Sequence, residues 1–433
     1  MRTDEWLALS NDELAQRREE GCELGDLPQR LKTLADSGAD QQQLAELTEE
    51  LAALNPRADF PYHEPSDLAS TKQARPDGPR QMKLSLTQDQ LLDREQGAWL
   101  GRSAGCLLGK PVEGWRKAMI ESYLEFAGDY PLGDYIRWAE GAPESERMKP
   151  HRRSFLRGSI TFMARDDDMD YPILGLHTIE AHGPDFTAQH VADEWLARLP
   201  YHMVYTAERN AYRNLVNGLA PPESAHYINP HREWIGAQIR ADIWGWTSPG
   251  RPEQAAERAF RDASVSHVKN GIYGEMFMAA LIAAAFATDD LEQAIRIGLS
   301  EIPARCRLAE AVEDVLTWRA QHSDWREAWD RVNEKYGHYH GVHTINNACV
   351  VLLALLYGEG DFTRTIGIAV MGGWDTDCNG ATAGSIAGII LGAKRVPPKW
   401  IDPLHDRIES SVLGYSQCKL SELALRTHKL ALR

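Results

Sequence analysis

The sequence lacks an excess of basic residues, a Cys-x-x-Cys pair and a long hydrophobic run, and each absence excludes a class of protein. Its 433 residues carry 63 Asp and Glu against 47 Lys and Arg, a net charge of −16, so we expect no binding to a nucleic-acid polymer. The six cysteines are scattered singly, as in cytoplasmic proteins with reduced thiols. The longest apolar stretches, 276–287 and 348–357, are too short to span a bilayer, and the first residues lack the apolar stretch of a signal peptide. We therefore expect a soluble, cytoplasmic protein that does not bind membranes.

Hydrophobic residues instead recur at helical spacing over much of the chain. The segments with this periodicity are 11–20, 40–53, 88–108, 253–263, 271–288, 304–321 and 345–357. Ser10 followed by Glu13, and Thr87 followed by Gln90, have the spacing of a capping box and predict helix starts. Long alternating β patterns are absent, so the sequence predicts an all-α fold.

Prolines concentrate between residues 55 and 85. This segment holds five of them among polar residues, and proline at such density disfavours helix and favours an extended connector. We predict an N-terminal helical appendage with its connector over residues 1–85, and one large catalytic domain over residues 86–433. We expect the large domain to fold when the appendage is removed.

Glycines recur every fourth residue in two segments of the large domain. They are Gly101, Gly105 and Gly109 in one segment, and Gly380, Gly384, Gly388 and Gly392 in the other. Four-residue spacing places each set on one helix face, although each glycine costs about 1 kcal/mol relative to alanine in a helix. Close contact of two helix backbones would offset that cost, so we predict that these two helices cross tightly in the core.

Carboxylates are concentrated in two short turns. Asp166, Asp167 and Asp168 are consecutive, and Asp375 and Asp377 follow a Gly-Gly pair at the start of the second glycine-rich helix. Taken alone, the first turn is equally compatible with a solvated acidic turn or a helix N-terminus. If the two turns converge, their mutual repulsion requires a cation, and oxygen ligands indicate Mg²⁺, Mn²⁺ or Ca²⁺. Five negative charges exceed the charge of one divalent ion, so two metal ions are the natural interpretation.

Five segments, two of them weaker matches, resemble the ADP-ribosylglycohydrolases and lie in the order found in that family. They are Gly-x₃-Gly-x₃-Gly-x-Pro-x-Glu at 101–113, Asp-Asp at 167–168, Gly-Ala-Gln-Ile-Arg at 236–240, Ser-His at 266–267 and Gly-Gly-x-Asp-Thr-Asp-x-Asn-x₄-Gly at 372–384. The resemblance covers most of the predicted large domain. Its most specific part is the Asp-Thr-Asp segment.

The resemblance implies a compact, orthogonal bundle of α-helices with a binuclear Mg²⁺ (or Mn²⁺) centre. It implies a hydrolase that cleaves a glycosidic bond at the anomeric carbon of ribose through an oxocarbenium-like transition state, and so removes ADP-ribose from a protein or a small conjugate. A carboxylate would act as general base, and the sequence does not choose between Glu113, Asp167 and Asp168. The implied metal ligands are Asp166, Asp167, Asp168, Asp375 and Asp377. The implied substrate contacts are Glu233, Trp234, Gly236, His267, His343, Gly373 and Trp374.

Two positions depart from the family pattern. Asp166 and Cys378 stand where the family has threonine, which adds a charge at one position and places a softer thiol at the other. These changes could alter the choice of metal, or belong to a subgroup with another substrate. The shared aspartates remain, which argues against a site that has lost its function.

Several alternatives stay open. One is a ribosidase acting on a small nucleoside or sugar conjugate, and another is a non-catalytic protein that binds ADP-ribose or has a structural role. Residues 166–170 also fit the DDxxD motif of prenyl-diphosphate enzymes, although a second metal motif is missing. Three histidines at 338, 340 and 343 could form a zinc site, but structural or substrate contacts are more typical of such a cluster. Trp374 could stack on a base or pack in the core.

Overall fold

The protein is an assembly of helices in the computed structural model, which describes residues 2–38, 40–148 and 150–433. Within these ranges there are 21 α-helices and one sheet of two short antiparallel strands, so the predicted all-α fold is confirmed. The α-helices are α1 Thr3–Glu19, α2 Leu27–Ser37, α3 Gln41–Ala52, α4 Leu68–Ala74, α5 Gln88–Gly109, α6 Lys117–Ala127, α7 Asp167–His182, α8 Ala188–Arg198, α9 Thr206–Val216, α10 Glu223–His226, α11 Ala241–Trp246, α12 Pro252–Ala263, α13 Lys269–Ala285, α14 Leu291–Leu299, α15 Arg307–Gln321, α16 Trp325–Tyr336, α17 Thr344–Gly358, α18 Phe362–Met371, α19 Thr376–Leu391, α20 Pro398–Ile401 and α21 Leu420–Ala431.

Shorter elements connect these helices. The strands are β1 Ile408–Glu409 and β2 Gln417–Cys418, with Ile408 opposite Cys418. The 3₁₀ helices are Lys110–Val112, Ser145–Arg147, Pro150–Phe155, Tyr201–Met203, Gln238–Arg240, Ala393–Arg395 and Asp402–Leu404. No helix in the described part of the chain is both long and apolar enough to cross a membrane.

The two predicted helix starts have different outcomes. Thr87 caps α5, and its hydroxyl oxygen accepts a hydrogen bond from the backbone N–H of Gln90 at 3.2 Å, so this prediction is confirmed. The prediction at Ser10 is wrong, because α1 begins at Thr3 and Ser10 lies inside it. The Ser10 hydroxyl bonds to the backbone carbonyl of Trp6 at 2.8 Å and faces α3. The capping spacing at residue 10 is therefore coincidental.

The glycine faces of α5 and α19 lie against each other, as predicted. A Cβ atom on Gly105 would lie 1.8 Å from the carbonyl oxygen of Gly380, and one on Gly101 would lie 2.1 Å from that of Gly384. No side chain fits between backbones this close. Gly97 extends the contact toward Gly388. Gly392, which was expected to belong to this face, instead ends α19 with a φ of +76°.

This crossing fixes the ends of the two helices beside each other. The Thr376 hydroxyl, at the start of α19, donates a hydrogen bond of 2.8 Å to the carbonyl of Gly109, at the end of α5. Helices α13 and α17 are buried along nearly their whole length and pack against α19 in the apolar core. The core thus holds the C-terminal end of α5 and the N-terminal end of α19 at one place.

The N-terminal helices have a small hydrophobic cluster of their own. Its buried members are Leu27, Leu31, Leu44, Leu47 and Leu51. The connector that follows is extended apart from α4, so the expectation of a helix-free connector is wrong for that one segment. The division into an appendage and a large domain at residue 85 stays a prediction.

Buried ion pairs join the N-terminal helices and connector to the rest of the molecule. Arg232 contacts Glu13 at 2.7 Å and Glu20 at 3.1 Å, with all three side chains nearly inaccessible to solvent. Arg307 contacts Glu64 at 2.8 Å in the same way. Removing one partner from a buried pair leaves an uncompensated charge and costs roughly 3–5 kcal/mol. These contacts argue against the expectation that residues 86–433 fold well without the appendage.

We predict that a chain reduced to residues 86–433 is insoluble or melts far below the full-length protein, because Arg232 loses both of its carboxylate partners. Circular dichroism melting curves measure the difference. Arg232→Met in the shortened chain removes the unpaired charge and should recover part of the loss. Equal melting temperatures for the full and shortened chains would show that these ion pairs do not stabilise the fold.

We predict that Gly105→Ala lowers the free energy of unfolding by about 1–3 kcal/mol or more, as overpacking does. The same change at an unconstrained helical glycine would instead raise stability by about 1 kcal/mol. A loss of stability would therefore indicate that Gly105 is constrained by the contact with α19. Gly133→Ala, in the loop after α6, is a control for the same substitution without overlap, since its nearest neighbour to an added Cβ is at 3.8 Å, and it should change stability little. Urea denaturation measures both variants, and an unchanged or raised midpoint for Gly105→Ala contradicts the helix contact.

Candidate functional site

The two acidic turns and the end of α5 meet at one cavity. Its volume is about 440 Å³. The lining residues are Lys110, Glu113, Arg152, Phe155, Arg165, Asp166, Asp167, Asp168, Tyr205, Thr206, Glu208, Trp234, Ile235, Gly236, Ile239, Val342, Asp375, Asp377 and Cys378. The convergence expected of the two turns is therefore present.

The first acidic turn is the N-terminus of α7. Asp166 caps this helix: one carboxylate oxygen accepts a hydrogen bond from the backbone N–H of Asp168 at 3.0 Å. Its other oxygen contacts the ammonium of Lys110. The Asp168 carboxylate contacts the buried guanidinium of Arg102 at 3.0 Å. Asp167, between them, is half-buried and faces the cavity.

Asp170 does not join the other carboxylates. It contacts Arg165 at 2.8 Å, and it accepts hydrogen bonds of 2.8 Å from the Ser410 hydroxyl and the Ser411 backbone N–H. A DDxxD metal motif needs this carboxylate to face the same ion as the first two. The placement of Asp170 argues against the prenyl-diphosphate alternative.

The second acidic turn is held by backbone pairing with the segment after α5. The N–H of Trp374 donates to the carbonyl of Trp115 at 3.0 Å, and the N–H of Gly114 donates to the carbonyl of Trp374 at 2.9 Å. Gly373 has a φ of +76°, and an added Cβ there would lie 2.6 Å from the backbone nitrogen of Lys117, so the turn requires glycine. This pairing brings Glu113 next to the start of α19.

The buried amide of Asn347 fixes the second turn from the other side. Its oxygen accepts hydrogen bonds from the backbone N–H of Asp375 at 3.2 Å and from the side chain of Asn379 at 2.8 Å. Asn347 therefore orients both the first residue of the turn and the first full turn of α19.

Three groups of acidic and thiol side chains have ligand atoms within 4.8 Å of one another. They are Glu113, Asp375 and Asp377; Asp168, Asp377 and Cys378; and Cys106, Asp166 and Asp168. Asp377 belongs to two of these groups, and one of its oxygens is buried without a hydrogen-bond partner among the described residues. An unpartnered buried carboxylate oxygen is costly, and a cation in contact with it would offset that cost.

Burial and like charge change the pKa values in the cavity. Burial, followed by the nearby charge of Glu113, raises the pKa of Asp375 to about 7. The same two causes raise the pKa of Asp377 well above its usual value, and burial raises the pKa of Asp168. At Asp166 burial is outweighed by the Lys110 ammonium, which lowers the pKa. Glu113, Asp375 and Asp377 offer only carboxylate oxygens as ligand atoms, and these fit a hard divalent cation.

Eight of the residues predicted for the site line the cavity. They are Glu113, Asp166, Asp167, Asp168, Trp234, Gly236, Asp375 and Asp377. The packing at position 236 requires glycine, because an added Cβ would lie 2.1 Å from a carboxylate oxygen of Glu208. The functional roles assigned to these residues stay predictions.

The other five predicted residues lie outside the cavity lining. Glu233 is fully buried and contacts Arg307 and Gln16, each at 2.7 Å, so its carboxylate is engaged by the N-terminal helices and α15. His267 bonds to the neighbouring Ser266 hydroxyl at 2.8 Å inside the core. His343 is the N-cap of α17 and stacks on Tyr339. These placements favour structural roles over substrate contact.

Gly373 and Trp374 are also outside the cavity. Both shape the second acidic turn through the backbone pairing described above. The Trp374 ring packs on Trp329, with centroids 5.7 Å apart. Of the two alternatives left open for this tryptophan, the structure favours packing.

The three clustered histidines do not converge. His338 contacts the carbonyl of Lys335, whereas the ring of His340 stacks on Trp234 with centroids 4.2 Å apart. In the described part of the chain they form no group able to share a metal ion. The zinc alternative is not supported.

Three basic side chains in contact with the acidic cluster, and one carboxylate of the cavity, were not predicted from the sequence. Lys110, Arg102 and Arg152 contact Asp166, Asp168 and Glu113 respectively. Glu208 is buried, which raises its pKa to about 6 although Arg240 opposes the shift. Lys110 and Arg102 lie in the glycine-rich segment itself, so their proximity to the acidic turns could have been inferred from the predicted helix crossing.

Comparisons with known proteins give one family and one set of structures. The profile of the ADP-ribosylglycohydrolase family matches residues 87–431. No curated protein matches the sequence, whereas 45 chains of solved structures do. One of these, described as an ADP-ribosylglycohydrolase-related protein complex, has a TM-score of 0.49 and 21% identity, and the similarity covers 79% of this chain and 99% of that chain. The family match spans nearly the whole predicted large domain.

Proposed function

We propose that this chain, which belongs to the ADP-ribosylglycohydrolase family, hydrolyses a glycosidic bond at the anomeric carbon of ribose and releases ADP-ribose from a conjugate. The observation that carries the proposal is the convergence of Glu113, Asp375 and Asp377 on the same cavity as Asp167 and Asp168. Paired carboxylates are what glycoside hydrolysis through an oxocarbenium-like transition state requires.

The activity is proposed to depend on a divalent cation, Mg²⁺ first and Mn²⁺ as a substitute. Glu113, Asp375 and Asp377 would hold it, and Asp168 borders the same place. When bound, such a cation supplies Lewis acidity and orientation at the ribose. The number of carboxylates in the sequence indicated two ions. Basic side chains contact three of these carboxylates and so reduce the negative charge that bound ions would have to offset. Asp166 is not proposed as a ligand, since Lys110 and the backbone of α7 engage both of its oxygens.

Among the three candidate general bases, Asp167 has the best support. It lines the cavity, and no described residue forms a hydrogen bond or ion pair with its carboxylate, whereas Asp168 contacts Arg102 at 3.0 Å and Glu113 contacts Arg152. Burial raises the pKa of Asp167, which favours proton uptake. In the proposed mechanism Asp167 accepts a proton from the attacking water.

Two aromatic side chains, Tyr205 and Trp234, contribute to the cavity wall, and aromatic side chains suit contact with sugars and bases. The Trp234 ring also packs against His340 and His231, with ring centroids 4.2 Å apart in each case, and His231 contacts Asp12 of α1 at 2.9 Å. Among described residues, none before residue 86 lines the cavity. The appendage therefore contacts one wall residue without adding a lining residue of its own, and the ADP-ribosyl group of a protein and a small ribosyl conjugate are both proposed as substrates.

The direct test is release of ADP-ribose from N-linked and O-linked ADP-ribosyl conjugates, followed by chromatography with Mg²⁺, with Mn²⁺ or with EDTA. We expect cation-dependent release. Asp377→Asn should lower the rate at least about 100-fold, since even outer-shell partners of a metal account for 10–100-fold in affinity or activity. The variant should keep its fold, because the change removes like-charge repulsion.

Asp330→Asn provides the matched carboxylate-to-amide control on the exposed surface of α16. It should keep the wild-type rate and the cation-induced rise in melting temperature, whereas Asp377→Asn should lose both. Hydrolysis of nucleosides with no release from ADP-ribosyl conjugates would replace the proposal with the ribosidase alternative. Tight ADP-ribose binding with no hydrolysis of any conjugate would replace it with a binding protein.

The thiol of Cys378 gives a prediction about the choice of metal. It lies with Asp168 and Asp377 within a group whose ligand atoms are all within 4.8 Å, and a thiol is a poor partner for Mg²⁺. Cys378→Thr should therefore keep or raise the rate with Mg²⁺ and lower the relative rate with Cd²⁺, a softer ion. Loss of Mg²⁺-dependent activity in this variant would mean that the thiol does not border the cation.

A further inference from the structure

We propose that the ammonium of Lys110 serves as a built-in cation of the acidic cluster, and that the cluster accordingly binds a single divalent ion, on the side of Glu113, Asp375 and Asp377. This inference rests on the proposed function, since the divalent ion is the one that the hydrolase would use. It replaces the two-ion centre that the number of aspartates suggested.

The position of Lys110 is set by the fold. It is the first residue after α5, in the 3₁₀ helix Lys110–Val112, and its side chain is only 15% exposed. The ammonium contacts one oxygen of Asp166 and lies 5.2 Å from the centroid of the Phe155 ring. A carboxylate on one side and an aromatic ring on the other both favour a cation. The lysine is thus held inside the cluster by two separate contacts.

The donors on the Lys110 side are already engaged. The two oxygens of Asp166 contact Lys110 and the backbone N–H of Asp168, and Asp168 contacts Arg102 at 3.0 Å. The third member of that group is the thiol of Cys106, which suits hard ions poorly. A second divalent ion here would have to displace an ammonium and compete for occupied oxygens.

On the opposite side, Glu113 contacts Arg152 through one carboxylate oxygen only, and Asp375 and Asp377 contact no basic side chain among the described residues. Among the six carboxylates of Glu113, Asp166, Asp167, Asp168, Asp375 and Asp377, the described structure leaves a buried oxygen without a partner only at Asp377. Asp377 is 5% exposed, so water compensates little for the missing bond. Three of the six carboxylates already contact Lys110, Arg102 or Arg152. Half of the charge that argued for a second ion is therefore compensated by the chain itself.

The number of bound ions tests this inference without reference to activity. Full-length protein stripped with EDTA is dialysed against MnCl₂, and bound manganese is counted by elemental analysis and by native mass spectrometry. We expect one Mn²⁺ per chain, with an electron paramagnetic resonance spectrum free of spin coupling between neighbouring ions. Lys110→Met, which keeps an unbranched apolar side chain and removes the ammonium, should bind two. Lys110→Arg keeps the charge and should bind one.

Two ions per chain in the wild type, with a spin-coupled spectrum, would overturn this inference and leave the proposed hydrolase intact. A Lys110→Met chain that is folded by circular dichroism and still binds one ion would overturn the role of Lys110. Cation-dependent hydrolysis without any ion at the Asp377 side would also overturn it. If no Mn²⁺ binds and no conjugate is hydrolysed with any cation, the proposed function itself fails.

Discussion

The contact between the backbones of α5 and α19 is the constraint on which the rest of the structure depends. Glycines on both helices let the chains approach until the Cβ of any other residue would overlap a carbonyl oxygen, as at Gly105 and Gly380. Each glycine weakens its own helix, and the tight crossing is what compensates. Because the crossing fixes the end of one helix against the start of the other, it also fixes Glu113 beside Asp375. The positions of the acidic side chains thus follow from main-chain packing.

Packing carboxylates this closely in a buried cavity is unfavourable unless their charge is offset. The chain offsets part of it with Lys110, Arg102 and Arg152, each in contact with a different carboxylate. What remains is concentrated around Asp377, whose pKa is raised well above the usual value by burial and by its neighbours. A cluster that is partly neutralised by the protein and partly left open is suited to take up a cation. The same repulsion explains why such a site needs a rigid scaffold.

Much of this could be predicted from the sequence, because the signals involved are local or regular. Helical periodicity gave the fold class, and glycine spacing indicated the crossing of α5 and α19. What could not be predicted depends on contacts between distant segments. Glu233 occupies a position that resembles a substrate contact in the family, yet its carboxylate is engaged by Arg307 and Gln16. The capping spacing at Ser10 gave a wrong helix start because α1 already begins at Thr3, and Glu13 pairs instead with Arg232, 219 residues away. Gln16 and Glu13 both belong to the N-terminal helices, whose contacts with the large domain leave no periodic signal.

The most direct test is the position of a divalent ion in crystals of the full-length protein grown with MnCl₂. Anomalous scattering near the manganese absorption edge locates such an ion independently of any assumption about ligands. The account predicts an anomalous peak in the cavity in contact with Asp377 and bordered by Glu113 and Asp375. A cavity without a peak at saturating manganese, or a peak bound only by carboxylates elsewhere on the surface, would contradict it.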